Sequence, residues 1–277
     1  MIKNIVFSGG GVKIYSFLGF IKAFEEQNLF EHVESYIGTS AGALISALCV
    51  LGFKYKEIEE IVLKINTTNL KNITTDNILN FFENFGLDNG ESFERIITII
   101  LEAKLKNSNI TFKELFDITN KKLIVTATCI NTMDIEYFDY ETTPDMSVIL
   151  ANEISACIPC YFTPIRYNKC VYVDGGILNN FPLNYISDDD KKYTIGLHTD
   201  NDNYNDLDIE NNIVDYIISI YEITRCKILT NDGYIIKLNP DIMILDFNIC
   251  KEDKIKCFEY GTNYMLKYIS MNMLDLF

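Results

Sequence analysis

A chain of 277 residues that is 48% hydrophobic and 23% charged has the material for a large buried core, which excludes a disordered protein and reads as a single domain over residues 1–277. Its formal net charge of −15, with no Lys/Arg cluster, excludes nucleic acid as a partner, since phosphates need a basic stripe. The same charge disfavours stable docking on anionic membranes; were a lipid the substrate, neutral or zwitterionic head groups, or lipids already out of a bilayer, would be favoured.

The chain opens on Met1-Ile-Lys-Asn-Ile-Val-Phe7, without the charged region, longer apolar stretch and cleavage site of a signal peptide. Asn4-Ile-Val-Phe7 reads as a short apolar strand, followed by Ser8-Gly-Gly-Gly11 and then a helix with Phe17, Leu18, Ile21 and Phe24 on one face. Tyr36-Ile37 is a second strand, leading into Gly38-Thr-Ser-Ala-Gly42 and another apolar helix. That helix, Ala41 to Gly52, is shorter than the roughly 20 residues a bilayer span needs. The expected location is therefore the cytoplasm. Strand, glycine turn and helix, twice over, is the rhythm of an α/β sheet covered on both faces.

Residues 54–110 read as mainly helical, with a polar surface loop from Asn66 to Asn77. The Thr111-x-x-Glu114 capping box starts a further helix. Leu123–Cys129 and Ile135–Phe138 alternate like paired strands, and Val171-Tyr-Val173 is a strand ending at Asp174-Gly-Gly176. Thr194–Leu197 and Ile242–Leu245 read as additional strands, while Asp188–Asp190 and Asp200–Asp208 are acidic loops. Cys49, Cys129, Cys226 and Cys250 lie in apolar runs, as free core thiols do. Cys157-Ile-Pro-Cys160 has the spacing of half a zinc or redox site, but no second pair of ligands accompanies it.

Gly38-Thr39-Ser40-Ala41-Gly42 is a G-x-S-x-G between a strand and a helix, the pattern of a nucleophile elbow. Glycines at either side clear the sharp turn, and the helix N-terminus brings free N–H groups beside Ser40. Gly9-Gly10-Gly11 offers further N–H groups to an anion. A dinucleotide fingerprint would require glycine where Ile14 stands, and a phosphate loop would require Ser or Thr there, after Lys13. An oxyanion hole needs only about two aimed donors. For the base, His32 lies in a polar connection. His198 keeps the Ser…Asp…His order of a triad, and Asp174 ends a strand before two glycines; the residues alone leave both open.

Ser8-Gly-Gly-Gly-Val-Lys13, Gly38-Thr-Ser-Ala-Gly42 and Val173-Asp-Gly-Gly176 stand in the order seen in patatin-like phospholipases, which this sequence resembles from about residue 4 to 200. Ser155-Ala-Cys-Ile-Pro159 and Asn179-Asn-Phe-Pro182 resemble the family's segments on either side of its aspartate. The resemblance implies a three-layer α/β/α sandwich with a mostly parallel central sheet. It implies Ser40 as nucleophile, Asp174 as base, and Gly9, Gly10, Gly11 and Lys13 as the oxyanion site, with Gly38, Gly42, Gly175 and Gly176 supporting the motifs. The substrate would be a lipid or other acyl ester, met during transient membrane-surface contact, with no metal or organic cofactor.

The family has glycine where this chain has Ile14; if that position needs positive φ, Ile14 is strained, and Ile14→Gly would be tolerated or beneficial. Two rivals follow from the same residues: a non-catalytic lipid-binding relative and a His198-dependent esterase. Phe81-Phe82 and Tyr161-Phe162 read as core segments, with lining of an acyl channel as their functional alternative.

Overall fold

A strand buried on both faces has no polar side to turn outward, and four strands of this chain are buried at nearly every residue. The structure, a computed structural model, describes residues 1–64, 75–105, 107, 109–199, 213–225, 234–242 and 248–276. Its first elements are β1 (Asn4–Phe7), α1 (Tyr15–Glu26), β2 (Ser35–Gly38), α2 (Ala41–Val50) and α3 (Tyr55–Lys64). Two short helices, α4 (Thr75–Leu79) and α5 (Phe81–Asn84), precede β3 (Gly86–Asp88), α6 (Glu91–Leu105) and α7 (Phe112–Thr119). Then come β4 (Lys122–Cys129), β5 (Asp134–Phe138), α8 (Val148–Ser155), β6 (Cys160–Phe162), β7 (Ile165–Tyr167) and β8 (Cys170–Asp174). The last are α9 (Gly176–Asn179), β9 (Thr194–Thr199), α10 (Ile213–Arg225), β10 (Tyr234–Leu238) and α11 (Lys251–Leu276).

The main sheet has the order β10-β9-β1-β2-β4-β8-β7, with β5 paired to β4 as well. From β10 to β4 every pairing is parallel, and β5, β8 and β7 add an antiparallel end. One face carries Ile5, Phe7, Tyr36 and Val125 into the larger core with α1, α2, α8 and α11. The opposite face carries Val6, Ile37 and Ile124 under Phe181, Leu183 and Ile186. This is the expected layered α/β architecture. The capping box is formed in full at the start of α7, and α2 is buried along its length. No helix among the described residues is long and apolar enough to cross a membrane.

The structure departs from the sequence reading at several points. β3, inside sequence that reads as helical, pairs with β6 in a small second sheet. Cys250 is exposed rather than in the core, and Phe82 is 84% exposed, neither core nor channel. Cys226, the Asp200–Asp208 loop, most of the Asn66–Asn77 loop and most of the Ile242–Leu245 strand lie outside the described residues.

Candidate active site

Two strand ends meet head to head. β2 runs parallel to β4 as far as the pair Gly38 and Val125, and β8 runs antiparallel to it as far as Asp174 and Ala127. Val125 and Ala127 also pair with β5, which takes the other edge of β4. So β2 and β8 share one edge, and they stop two β4 residues apart, about 7 Å of strand. Ser40 follows two residues after Gly38, and the topology alone brings it to the neighbourhood of Asp174.

Ser40 sits at φ 54°, ψ −127°, a conformation that costs a non-glycine residue about 1–3 kcal/mol. The surroundings hold it there. A Cβ on Gly38 would stand 2.4 Å from the Gly42 carbonyl oxygen, and one on Gly42 would stand 2.4 Å from that of Ser8, so the elbow closes only with glycine at both places. The Ser40 amide donates to Ser155 Oγ at 2.8 Å. Thr39 and Thr126 hydroxyls lie 2.5 Å apart, and Thr39 also donates to the Asn179 carbonyl, which ties the elbow to β4 and α9.

Asp174 is fully buried. Its amide donates to the Cys157 carbonyl at 2.7 Å, and its Oδ1 accepts from the Gly176 amide at 2.6 Å. Gly175 has ordinary helical angles, but a Cβ there would stand 2.5 Å from Thr126 Oγ1. The space beside Gly176 is shared by Asp174 Oδ1, Asn180 Oδ1 and the Tyr221 hydroxyl, all within 3 Å of where a Cβ would stand.

The glycine loop reaches the same place. A Cβ on Gly9 would stand 3.2 Å from Ser40 Cβ and 2.4 Å from Asn180 Oδ1. The Gly9 amide donates to the Asn180 carbonyl, and its carbonyl accepts from Asn180 Nδ2 and Thr199 Oγ1. Gly10 is extended, whereas Gly11 has φ +49°, the one place in the loop where the backbone itself requires glycine. Among the described residues the Gly10 and Gly11 amides donate to no protein group. Those two are the donors the loop can offer. Lys13 is engaged differently: its amide donates to the Gly10 carbonyl, and its buried amine donates to Asn239 Oδ1 at 3.1 Å. It braces the loop against the segment after β10.

Ile14 overturns the strain expectation. It has φ −57°, ψ −19° inside a helical turn, and its side chain lines the pocket described next. Ile14→Gly should therefore destabilise the protein by about 2–4 kcal/mol, through lost burial and glycine's flexibility, and bring no gain in activity. A urea titration checks this; an unchanged midpoint would mean that Ile14 contributes no packing.

From Ser40 a pocket of about 860 Å³, including its open mouth, runs between α2, α3 and α6. Its walls include Leu44, Leu48, Val62, Ile96, Ile100 and Phe162, and among its lining residues only Ser40 and Tyr15 have a polar side-chain atom. Phe162 thus faces the pocket, while Tyr161 is core.

The remaining candidates make other contacts or are exposed. His198, on β9, packs edge-on against Phe181 with ring centroids 5.3 Å apart, and His32 is exposed. Cys157 is buried with its thiol donating to the Thr163 carbonyl, and burial together with nearby Asp174 pushes that thiol well up from its ordinary range. Cys160 is exposed. Among the described residues no three His, Cys, Asp or Glu side chains are grouped to hold a metal. Ser155, Asn180 and Tyr221 are the site neighbours to which sequence reasoning gave no role. Ser155 and Asn180 stand inside motif segments that did draw attention; Tyr221 lies in an amphipathic helix with no local signal.

A family model described as patatin-like phospholipase matches residues 5–186. An uncharacterised protein of Acanthamoeba polyphaga mimivirus is 29% identical over 276 residues, 94% of this chain and 91% of that protein. A protein of Invertebrate iridescent virus 6, described as a probable lipid hydrolase, is 35% identical over 184 residues, 65% of this chain and 62% of that one. Among solved structures, VipD from Legionella pneumophila superposes with TM-score 0.61 at 17% identity, covering 98% of this chain and 67% of VipD. The type III effector ExoU gives 0.56 at 16% identity over 98% of this chain and 53% of ExoU. At those identities the likeness is one of fold, and this chain spans only about half the length of ExoU.

Proposed function

The chain belongs to the patatin-like phospholipase family, and on that premise we propose that it is a serine lipid acyl hydrolase, of phospholipase A or lysophospholipase type, working through Ser40 and Asp174. The observation that carries the reading is the position of Ser40: a strained elbow serine opening onto an apolar pocket, with a buried carboxylate at the end of the strand that faces it. The iridescent-virus relative, described as a probable lipid hydrolase, supports the substrate class.

In this mechanism the acyl chain of the substrate lies in the pocket, which places its ester carbonyl at Ser40. Asp174 takes the Ser40 proton as Oγ attacks the carbonyl carbon and the carbonyl electron pair moves onto oxygen. The Gly10 and Gly11 amides receive that oxyanion. When the pair returns, the bond to the alcohol breaks, the proton passes from Asp174 to the leaving oxygen, and an acyl group remains on Ser40. Water, deprotonated by Asp174, repeats the attack and releases the fatty acid. The residues ask for no cofactor. A panel of acyl esters tests the reading: hydrolysis should rise from acetyl to long-chain esters, because only a chain can fill the apolar walls. Indifference to chain length would separate the pocket from the reaction.

A further inference from the structure

A second, smaller cavity, about 280 Å³ including its open mouth, shares a wall with the acyl pocket, and Phe93, Ala156 and Phe162 line both. Its chemistry is different. Glu153, near the end of α8, lines it together with Asn89, Gly90 and Thr163. Among the described residues the Glu153 carboxylate has no hydrogen-bond donor and no Lys or Arg partner, and the charged neighbour it feels is another acid, Glu94 of α6. Burial and that like charge raise its pKa to about 7. The cavity also adjoins the reacting centre through the chain itself. Ala156 lines it, the preceding Ser155 hydroxyl holds the Ser40 amide, and the following Cys157 carbonyl holds the Asp174 amide.

An acid without a counter-charge, beside two aromatic rings, is the complement of an organic cation. Carboxylates attract it by charge and ring faces by their quadrupole. A lipid whose ester lies at Ser40 and whose acyl chain fills the large pocket must place its head group elsewhere, and the adjoining cavity is where such a cation would be stabilised.

We propose that this side cavity is a head-group subsite, in which Glu153, with Phe93 and Phe162, takes the ammonium of a choline- or ethanolamine-bearing lipid. The inference rests on the reading of Ser40 as the nucleophile of an acyl hydrolase. It fits the net charge of −15, which leaves zwitterionic lipids favoured over anionic ones.

Binding tests the subsite separately from hydrolysis. In the Ser40→Ala protein, calorimetry would compare an alkyl phosphocholine with the alkyl maltoside of the same chain length, each below its micelle concentration. Adding Glu153→Gln should weaken the phosphocholine about tenfold, the size of one desolvated cation contact, and leave the maltoside within twofold. Equal loss of both ligands, or of neither, would overturn the subsite. The maltoside reports that the acyl pocket is intact, so misfolding is not mistaken for lost recognition. Because burial disfavours the Glu153 carboxylate, Glu153→Gln should also melt no lower than its parent at neutral pH. If the parent enzyme hydrolyses no ester at all, the Ser40 reading fails, while the two titrations still decide whether the cavity holds an ammonium.

Discussion

Ser40→Ala should reduce ester hydrolysis to background, a loss on the order of 10⁴–10⁶-fold, and leave the melting temperature unchanged or slightly raised. The two halves of that expectation have separate causes. The chemistry needs the hydroxyl as nucleophile. The fold does not, because the elbow is fixed by the close approaches at Gly38 and Gly42 and by the backbone bond from Ser40 to Ser155. Initial rates on a long-chain ester, with a thermal melt of both proteins, check both halves. Retention of more than about 1% of the rate, against the 10²–10⁴-fold that even a single proton-transfer group supplies, would remove Ser40 from the mechanism.

Asp174→Asn should cost about 10²–10⁴-fold, the range of a general base, and His198→Ala should cost little. Asparagine keeps the shape of Asp174 and an oxygen for the Gly176 amide, so what it removes is basicity. His198 flanks the glycine loop through its neighbour Thr199, whose hydroxyl donates to the Gly9 carbonyl. It stands on β9 against Phe181, whereas Ser155, Gly175 and Asn180 link Asp174's surroundings to those of Ser40. Rates for the two variants on one ester decide the matter. Should His198→Ala prove the more damaging, a histidine triad replaces the dyad.

Much of the frame could be read from the residues because each motif coincides with a local necessity. A G-x-S-x-G between an apolar strand and an apolar helix has few ways to fold, and φ and ψ at Ser40 are those of that turn. Asp-Gly-Gly after a valine-rich strand was equally legible as a strand end. The head-to-head meeting of β2 and β8 was not, because register along β4 is a property of three segments far apart in sequence. β3, β6 and β7 escaped notice since three residues are too few to show a period of two. The expectation of strain at Ile14 failed because the need for positive φ falls on Gly11 instead, and the chain has already entered a helical turn by Ile14. Lys13 stands within the glycine motif, yet its amine is used to hold Asn239, some 226 positions away, a contact no local pattern could disclose.

Covalent labelling tests the central claim most directly. A fluorophosphonate probe, incubated with the protein and followed by intact mass and peptide mapping, should give one adduct, on Ser40. The adduct should be absent in Ser40→Ala, form far more slowly in Asp174→Asn, and form at the parent rate in His198→Ala. An active enzyme that takes the label on another residue, or that hydrolyses long-chain esters without reacting at Ser40, would contradict the account.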